Sequence, residues 1–150
     1  MGEFFKNFFD IKFWKFLLVG VINTIVGEGV VLLCLQVIGW KNFAWGAGAA
    51  AVAGTVVGSI VSYFMNKYFT FKNKEKGIGP MVRFTVNIVV CLLIRVVAAT
   101  AVTEGCKALS LTMFSMDVNT FAAYLGWAVG ACVFVACNYI GQRFFAFKEK

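Results

Sequence analysis

The sequence predicts an all-α membrane protein with four transmembrane helices, arranged as two parallel two-helix repeats with both termini in the cytoplasm. Three observations support this prediction. The 150 residues are 61% hydrophobic and only 14% charged, a composition that is not typical of a soluble domain. Four apolar runs are each long enough to cross a bilayer. Two of the runs end alike, in residues 66–72 (NKYFTFK) and 142–148 (QRFFAFK), which indicates an internal repeat.

The four predicted helices cover residues 16–38, 44–65, 84–106 and 121–140. At about 1.5 Å per residue, each run spans a hydrocarbon core of about 30 Å. The first run is too long for the apolar region of a signal peptide, and no small-residue cleavage site follows it, so we expect it to remain as a membrane anchor. Residues 73–80 contain the only proline and two glycines, which predicts a loop between the halves. We expect residues 1–150 to form a single transmembrane domain.

The orientation follows from the Lys and Arg residues. Eleven of the 14 lie before helix one, between helices two and three, or after helix four, against only Lys41 and Lys107 on the other side. Short loops rich in these cations stay cytoplasmic, so both termini are expected there. Residues 1–12, with phenylalanines at helical spacing, predict either an amphipathic surface helix or a disordered tail. A basic collar at the membrane boundary is expected from Lys15, Lys72, Arg83 and Lys148.

The formal net charge of +7 raises the question of nucleic acid as a partner. The cations stand in clusters beside apolar runs and form no hydrophilic basic domain. Anionic lipid is therefore the expected partner, and nucleic acid is not.

Glycine pairs extend the repeat into the helices. Gly54 and Gly58 in helix two correspond to Gly126 and Gly130 in helix four at an offset of 72, whereas the aromatic endings align at an offset of 76. The register is therefore open by one turn. Small residues four apart let membrane helices approach closely, and we expect these pairs to form the contacts of a homodimer. Two helices per repeat make both repeats enter the membrane from the same side.

Two charged residues, Glu28 and Arg95, fall inside the apolar runs. Glu28 lies about as far beyond Lys15 as Arg95 lies beyond Arg83, which predicts similar depths. Charges inside a membrane are expensive and are functional candidates. One hypothesis is an ion pair that holds the helices in register. The other is a site where Arg95 receives a migrating phosphate and Glu28 releases it, because guanidinium binds phosphate through two hydrogen bonds.

Polar side chains recur near these charges on all four predicted helices. They predict either a polar track through the membrane or hydrogen bonds between neighbouring helices. The candidate substrate-binding residues are Arg95, Glu28, Asn23, Asn66, Lys67, Asn87, Asn138, Gln142 and Arg143.

No catalytic constellation is visible in the sequence. The chain has no histidine, and its five cysteines are scattered without C-x-x-C spacing, so the usual general base and metal ligands are not available. No glycine-rich phosphate loop follows a predicted strand. We therefore expect no enzyme activity, no metal and no cofactor.

Several segments together resemble the GtrA-like family of membrane proteins. They are residues 15–24 (KFLLVGVINT), residues 62–71 (SYFMNKYFTF), Arg83-Phe84 and residues 138–147. The resemblance covers almost the whole chain. The residues that match the family pattern directly are Lys15, Asn23, Asn66, Lys67 and Arg83. Gln142-Arg143 departs from the Asn-Lys form of the first repeat.

The resemblance implies a small four-helix protein of the bacterial cytoplasmic membrane that works in cell-surface polysaccharide synthesis. Such a protein would move a polyprenyl-phosphate-linked monosaccharide to the outer leaflet for membrane glycosyltransferases. Four helices form a narrow bundle, so we expect a homodimer. Two other functions remain open. Glu28 is compatible with a proton-coupled exporter of small cations, and the basic face is compatible with a scaffold that recruits a glycosyltransferase.

Overall fold

The computed structural model describes residues 9–113 and 115–148, together with Gly2 and Lys6. The chain divides into two compact units, Met1–Glu75 and Lys76–Lys150. The described residues contain helices and no strand. Four helical segments are long and apolar enough to cross a membrane, namely Ile11–Val37, Gly46–Thr70, Gly79–Ala108 and Val118–Ala146. The prediction of an all-α membrane protein with four transmembrane helices is thus confirmed.

The first unit consists of two long helices. Helix α1 (Ile11–Leu32) continues as a π-helical turn, Leu33–Val37, and a short 3₁₀ turn, Trp40–Asn42, leads to α2 (Gly46–Met65) and its π-helical turn, Asn66–Thr70. Asp10 caps α1, because its carboxylate accepts hydrogen bonds from the backbone N–H groups of Lys12 (3.0 Å) and Phe13 (3.2 Å). The surface helix predicted over residues 1–12 falls largely outside the described residues.

The second unit repeats this plan with α3 (Gly79–Ala108), α4 (Val118–Gly141) and a π-helical turn, Gln142–Ala146. Asp117 caps α4 by accepting from the N–H groups of Asn119 (3.0 Å) and Thr120 (3.3 Å). Helix α3 begins at Gly79, ahead of the predicted start at residue 84. Pro80 stands in its first turn, where a missing N–H has no cost, so the predicted loop over residues 73–80 ends at Ile78.

The two basic endings are part of the helices. Each forms one π-helical turn, closed by the N–H of Phe71 on the carbonyl of Asn66 (2.9 Å) and by the N–H of Phe147 on the carbonyl of Gln142 (2.8 Å). The helix ends predicted from the sequence, at residues 65 and 140, stand before these turns. π-helical turns are rare in proteins, and many of those that occur are found at functional sites.

The bounds of the helices resolve the register of the repeat. At the glycine offset of 72, Ile11 at the start of α1 corresponds to Arg83, whereas α3 already begins at Gly79, one turn earlier. Helix α4 has 24 residues and α2 has 20. The second unit is therefore one turn longer than the first at the end where α3 begins and α4 ends. The offset of 72 applies to the glycine contacts, and the offset of 76 applies to the π-helical turns that follow the extra turn.

The glycines bring the two helices of each unit into close contact. A Cβ atom added to Gly54 would lie 2.5 Å from the carbonyl oxygen of Gly27, and one added to Gly130 would lie 3.0 Å from the Cβ of Ala99. Gly58 and Gly126 face α1 and α3 just as closely. These faces are covered inside each unit, so the expectation that they form the contacts of a homodimer is wrong. A dimer must use other faces.

Candidate functional site

The first unit has an open groove of about 330 Å³ along α1 and α2. Its wall contains Glu28 on α1, together with Asn23, Thr24, Thr55 and Ser59. Glu28 lies in the second half of α1, well inside the membrane-spanning segment, and is exposed at the surface of the protein. Among the described residues of its unit, Glu28 forms no ion pair. The groove thus presents an unpaired carboxylate at membrane depth.

The two threonines of this groove can accept hydrogen bonds. The hydroxyl groups of Thr24 and Thr55 donate to the carbonyls of Gly20 (3.0 Å) and Ala51 (2.8 Å) of their own helices. Their oxygen lone pairs remain available toward the groove. With the Glu28 carboxylate, the first groove suits a ligand that donates hydrogen bonds.

The second unit has an open groove of about 400 Å³. Arg95 lies in its wall, near the middle of α3. Its guanidinium carbon is 5.9 Å from the centre of the Phe134 ring, and its stem lies against Gly130. Glu104 in the same groove pairs with Lys107 at 3.0 Å. Arg95 itself makes no ion pair with the described residues of its unit, so this groove presents an unpaired cation and suits an anion.

Helix packing shows which residues are equivalent in the two units. Gly58 packs against Asn23, and Gly130 packs against Arg95, so Arg95 occupies the place of Asn23 at the offset of 72. The equivalent of Glu28 is Thr100, which also lines the second groove. The sequence had paired Glu28 with Arg95 by their distances from Lys15 and Arg83. The extra turn of α3 accounts for the difference.

Asn66 begins a closed hydrogen-bond network at the end of α2. Its amide nitrogen donates to the Ser62 hydroxyl (3.2 Å), and its amide oxygen accepts from the Thr70 hydroxyl (3.0 Å). The side chain is buried. Asn66 therefore holds the π-helical turn in place and does not line the first groove.

Lys67 follows Asn66 and lies between two tyrosine rings. Its Nζ is 5.7 Å from the centre of the Tyr63 ring and 5.3 Å from that of Tyr68. Only 5% of the Lys67 surface is exposed. Lys15 of α1 reaches the same turn, with its Nζ 4.9 Å from the centre of the Phe69 ring. Lys72 ends the turn in a left-handed conformation (φ 49°) and is exposed.

The second unit has a different amide network at the equivalent place. The amide nitrogens of Asn87 on α3 and Gln142 on α4 both donate to the side-chain oxygen of Asn138, at 2.8 and 3.0 Å. Asn87 and Asn138 thus link neighbouring helices, one of the two roles that the sequence left open. Gln142 is fully enclosed, and its Oε1 is the one enclosed side-chain oxygen or nitrogen among the described residues that has no hydrogen-bond partner.

Arg143 repeats the arrangement of Lys67. Its guanidinium carbon is 5.7 Å from the centre of the Tyr139 ring and 5.5 Å from that of Phe144, and it donates a hydrogen bond to the Tyr139 hydroxyl (2.6 Å). Arg83 of α3 reaches the same turn by donating to the carbonyl of Ala146 (3.3 Å). Lys148 beyond the turn is exposed.

Replacing Asn138 with leucine should destabilise the second unit. The change leaves the buried amide nitrogen of Gln142 without its acceptor and leaves that of Asn87 only the longer bond to the Asn138 carbonyl (3.4 Å), at roughly 1–3 kcal/mol for each unsatisfied group. Thermal unfolding in detergent measures the loss, and Asn119→Leu is the matched control because Asn119 is exposed on the same helix. Equal melting temperatures for the two variants would contradict the network.

The structure distributes the predicted site residues among five places. Asn23 and Glu28 share the first groove and Arg95 lies in the second. Asn87 and Asn138 join α3 to α4, and the remaining amides and cations belong to the two π-helical turns. Sequence reasoning missed the aromatic partners of the cations. The signal was present, because Tyr63 and Tyr139 each stand four residues before the cation and an aromatic residue follows each cation. Sequence reasoning also missed Thr103 and Trp127 of the second groove.

Comparisons with known proteins give one match. The family model described as GtrA/DPMS, transmembrane domain, matches residues 15–147. Neither the curated proteins nor the solved structures gave a match.

Proposed function

The chain belongs to the GtrA/DPMS transmembrane family, and from this premise we propose that it translocates a polyprenyl-phosphate-linked monosaccharide across the bacterial cytoplasmic membrane. The translocated sugar would serve the glycosylation of cell-surface polysaccharide. The single observation that carries the proposal is that each unit has a groove with a charged residue at membrane depth that makes no ion pair with the described residues of its unit. Such charges are costly without a ligand.

The chemistry of the grooves matches the two parts of the head group. Arg95 offers the planar, multiply donating cation that binds phosphate best. Glu28, with Thr24 and Thr55, offers acceptors for sugar hydroxyls. The polyprenyl chain is apolar and stays in the bilayer, so only the head needs polar surroundings. The open grooves allow this division, because a ligand can keep its tail in lipid.

The charge distribution supports an orientation with both termini in the cytoplasm. In that orientation, Lys15, Lys72, Arg83 and Lys148 meet the cytoplasmic leaflet and its anionic lipids. The protein acts as a homodimer, since the exposed Glu28 needs a polar cover inside the membrane. Membrane glycosyltransferases on the outer face consume the product. The chain itself catalyses no bond cleavage, because the sequence offers no nucleophile with an adjacent base.

Glu28 also supports a second candidate, a proton-coupled exporter of small cations. An exposed intramembrane carboxylate without an ion pair in the described part of its unit is what a carrier that exchanges a proton for a cation needs. The two candidates differ in their substrates and in the role of Arg95, which would repel a cationic substrate.

Replacing Glu28 with glutamine separates the two candidates. Glutamine keeps an acceptor for sugar hydroxyls but cannot carry a proton or a negative charge. We expect translocation of a fluorescent polyprenyl-phosphate monosaccharide in liposomes to fall by about tenfold, as for the loss of one charge-assisted hydrogen bond. Proton-driven cation uptake should be undetectable in both the parent and Glu28→Gln. Lys41→Gln, at an exposed cation outside the grooves, is the control. Cation uptake by the parent that Glu28→Gln abolishes would favour the exporter.

A further inference from the structure

We propose that the π-helical turn at the end of α2 forms a phosphate clamp, in which Lys67 binds a lipid phosphate before the head group enters the hydrocarbon core. The clamp is defined as Tyr63, Lys67 and Tyr68. This inference deepens the proposed function and rests on it for the identity of the lipid. It assigns the phosphate a docking place distinct from both grooves.

The first support for the clamp is the environment of Lys67. Only 5% of its surface is exposed, and its ammonium faces two aromatic rings. No carboxylate pairs with it in the described residues of its unit. A largely desolvated ammonium without an anion is costly, and aromatic rings compensate only part of that cost. An anionic ligand would supply the rest.

The second support is that the ammonium of Lys67 is not fully enclosed and has no hydrogen-bond partner in the described residues. Among the described residues, the one enclosed side-chain oxygen or nitrogen without a partner is Gln142 Oε1. Lys67 Nζ also has no hydrogen-bond partner among the described residues. Because it is not a second enclosed atom of this kind, part of its surface must be exposed. Lysine has three donors, and none of them is bonded to an acceptor in the described residues.

The third support is how firmly the chain holds the cation. The π-helical turn is closed at Asn66, whose amide is held by Ser62 and Thr70. The chain then folds back, and the N–H of Asn73 donates to the carbonyl of Lys67 (2.7 Å). Lys15 contacts the same turn from α1. The backbone that carries Lys67 is thus fixed from both sides, as a preorganised anion site requires.

The fourth support is recurrence. The second unit places Arg143 between Tyr139 and Phe144 on its own π-helical turn, with Arg83 of α3 on that turn. The aromatic partners stand at the same two positions relative to the cation in both units. Stabilisation of a helix C-terminus by a cation explains neither the paired rings nor the second cation from the neighbouring helix.

Equilibrium binding tests the clamp without requiring translocation. The full chain is placed in nanodiscs of zwitterionic phosphatidylcholine and titrated with a short-chain polyprenyl phosphate, and bound lipid is counted by native mass spectrometry. Lys67→Gln should bind about tenfold more weakly, Lys67→Arg should restore most of the affinity, and Lys41→Gln should match the parent. The corresponding polyprenol, which lacks phosphate, should not bind at the clamp.

Two further probes identify the source of the phosphate. Competition by phosphatidylglycerol would support a clamp for lipid headgroups in general, and competition by inorganic phosphate alone would support one for free phosphate. Equal affinity of Lys67→Gln and the parent, or equal binding of the polyprenol, would overturn the clamp. If Lys67 had only a structural role, Lys67→Gln would melt below the parent by the same number of degrees with and without the phosphate lipid. That result would also overturn the clamp. Parent protein that binds but does not translocate would leave the clamp standing and remove the proposed function.

Discussion

Replacing Gly54 with leucine should abolish the packing of α1 on α2 and lower the free energy of unfolding by about 3 kcal/mol or more, the upper end for overpacked cores. A Cβ at this position would lie 2.5 Å from the carbonyl oxygen of Gly27 and 2.6 Å from a methyl group of Val31. One neighbour is helix backbone, which cannot turn aside. Thermal unfolding in detergent and gel filtration measure the effect.

Gly48→Leu is the matched control for this prediction. Gly48 lies on the same helix, but an added Cβ meets nothing within 4 Å. We expect this variant to melt within a few degrees of the parent, because its side chain points to open space. Similar melting temperatures for the Gly54 and Gly48 variants would show that the close approach of α1 and α2 is not required for folding.

Replacing Arg95 with alanine should reduce translocation of the lipid-linked sugar to the background of empty liposomes. Arg95 is the one cation among the residues that line the two grooves. Without it, a phosphate at membrane depth has no counter-charge in either groove, and the barrier rises by several kcal/mol. The rate at which the fluorescent sugar becomes accessible in the second leaflet measures the loss.

Two variants control the Arg95 experiment. Lys41→Ala removes an exposed cation outside both grooves and should transport at the parental rate. Arg95→Lys keeps the charge but loses two-pronged phosphate binding, so an intermediate rate is expected. Full activity of a folded Arg95→Ala protein would contradict the role of Arg95 in binding phosphate and would favour the scaffold or the exporter.

The sequence allowed the fold class to be predicted because the bilayer imposes simple constraints. A run of about 20 apolar residues has few alternatives to a spanning helix. Helix boundaries were less predictable. The run beginning at Phe84 looked like a helix start because Arg83 precedes it, yet a helix tolerates cations in its first turns near the headgroups, and α3 begins at Gly79.

The equivalence of Arg95 and Asn23 could not be predicted from the sequence. Counting from Lys15 and Arg83 assumed that both units have the same length, and the extra turn in α3 and α4 breaks that assumption. The level at which two helices cross is set by the glycine contacts, such as Gly58 on Asn23. The two offsets of the repeat contained this information, but only packing shows where the extra turn lies.

The roles of the candidate residues were predictable only in part. Glu28 and Arg95 stood out because a charge in an apolar run is costly. Asn66 was placed with them as a polar residue, but its amide is buried and bonds to Ser62 and Thr70. A spacing of four residues does not decide between these roles. Two side chains at i and i+4 of a helix can bond to each other, as here, or both face a neighbouring helix.

The most direct test of the central claim compares two labelled lipids in liposomes that contain the parent protein. One is a polyprenyl-phosphate monosaccharide and the other is the same sugar linked to polyprenol without the phosphate, and both start in one leaflet. We predict that the first appears in the second leaflet at least about tenfold faster than in empty liposomes, while the second moves no faster than background. Equal rates for both lipids, or no acceleration of the first by folded protein, would contradict the claim that this chain translocates a sugar phosphate.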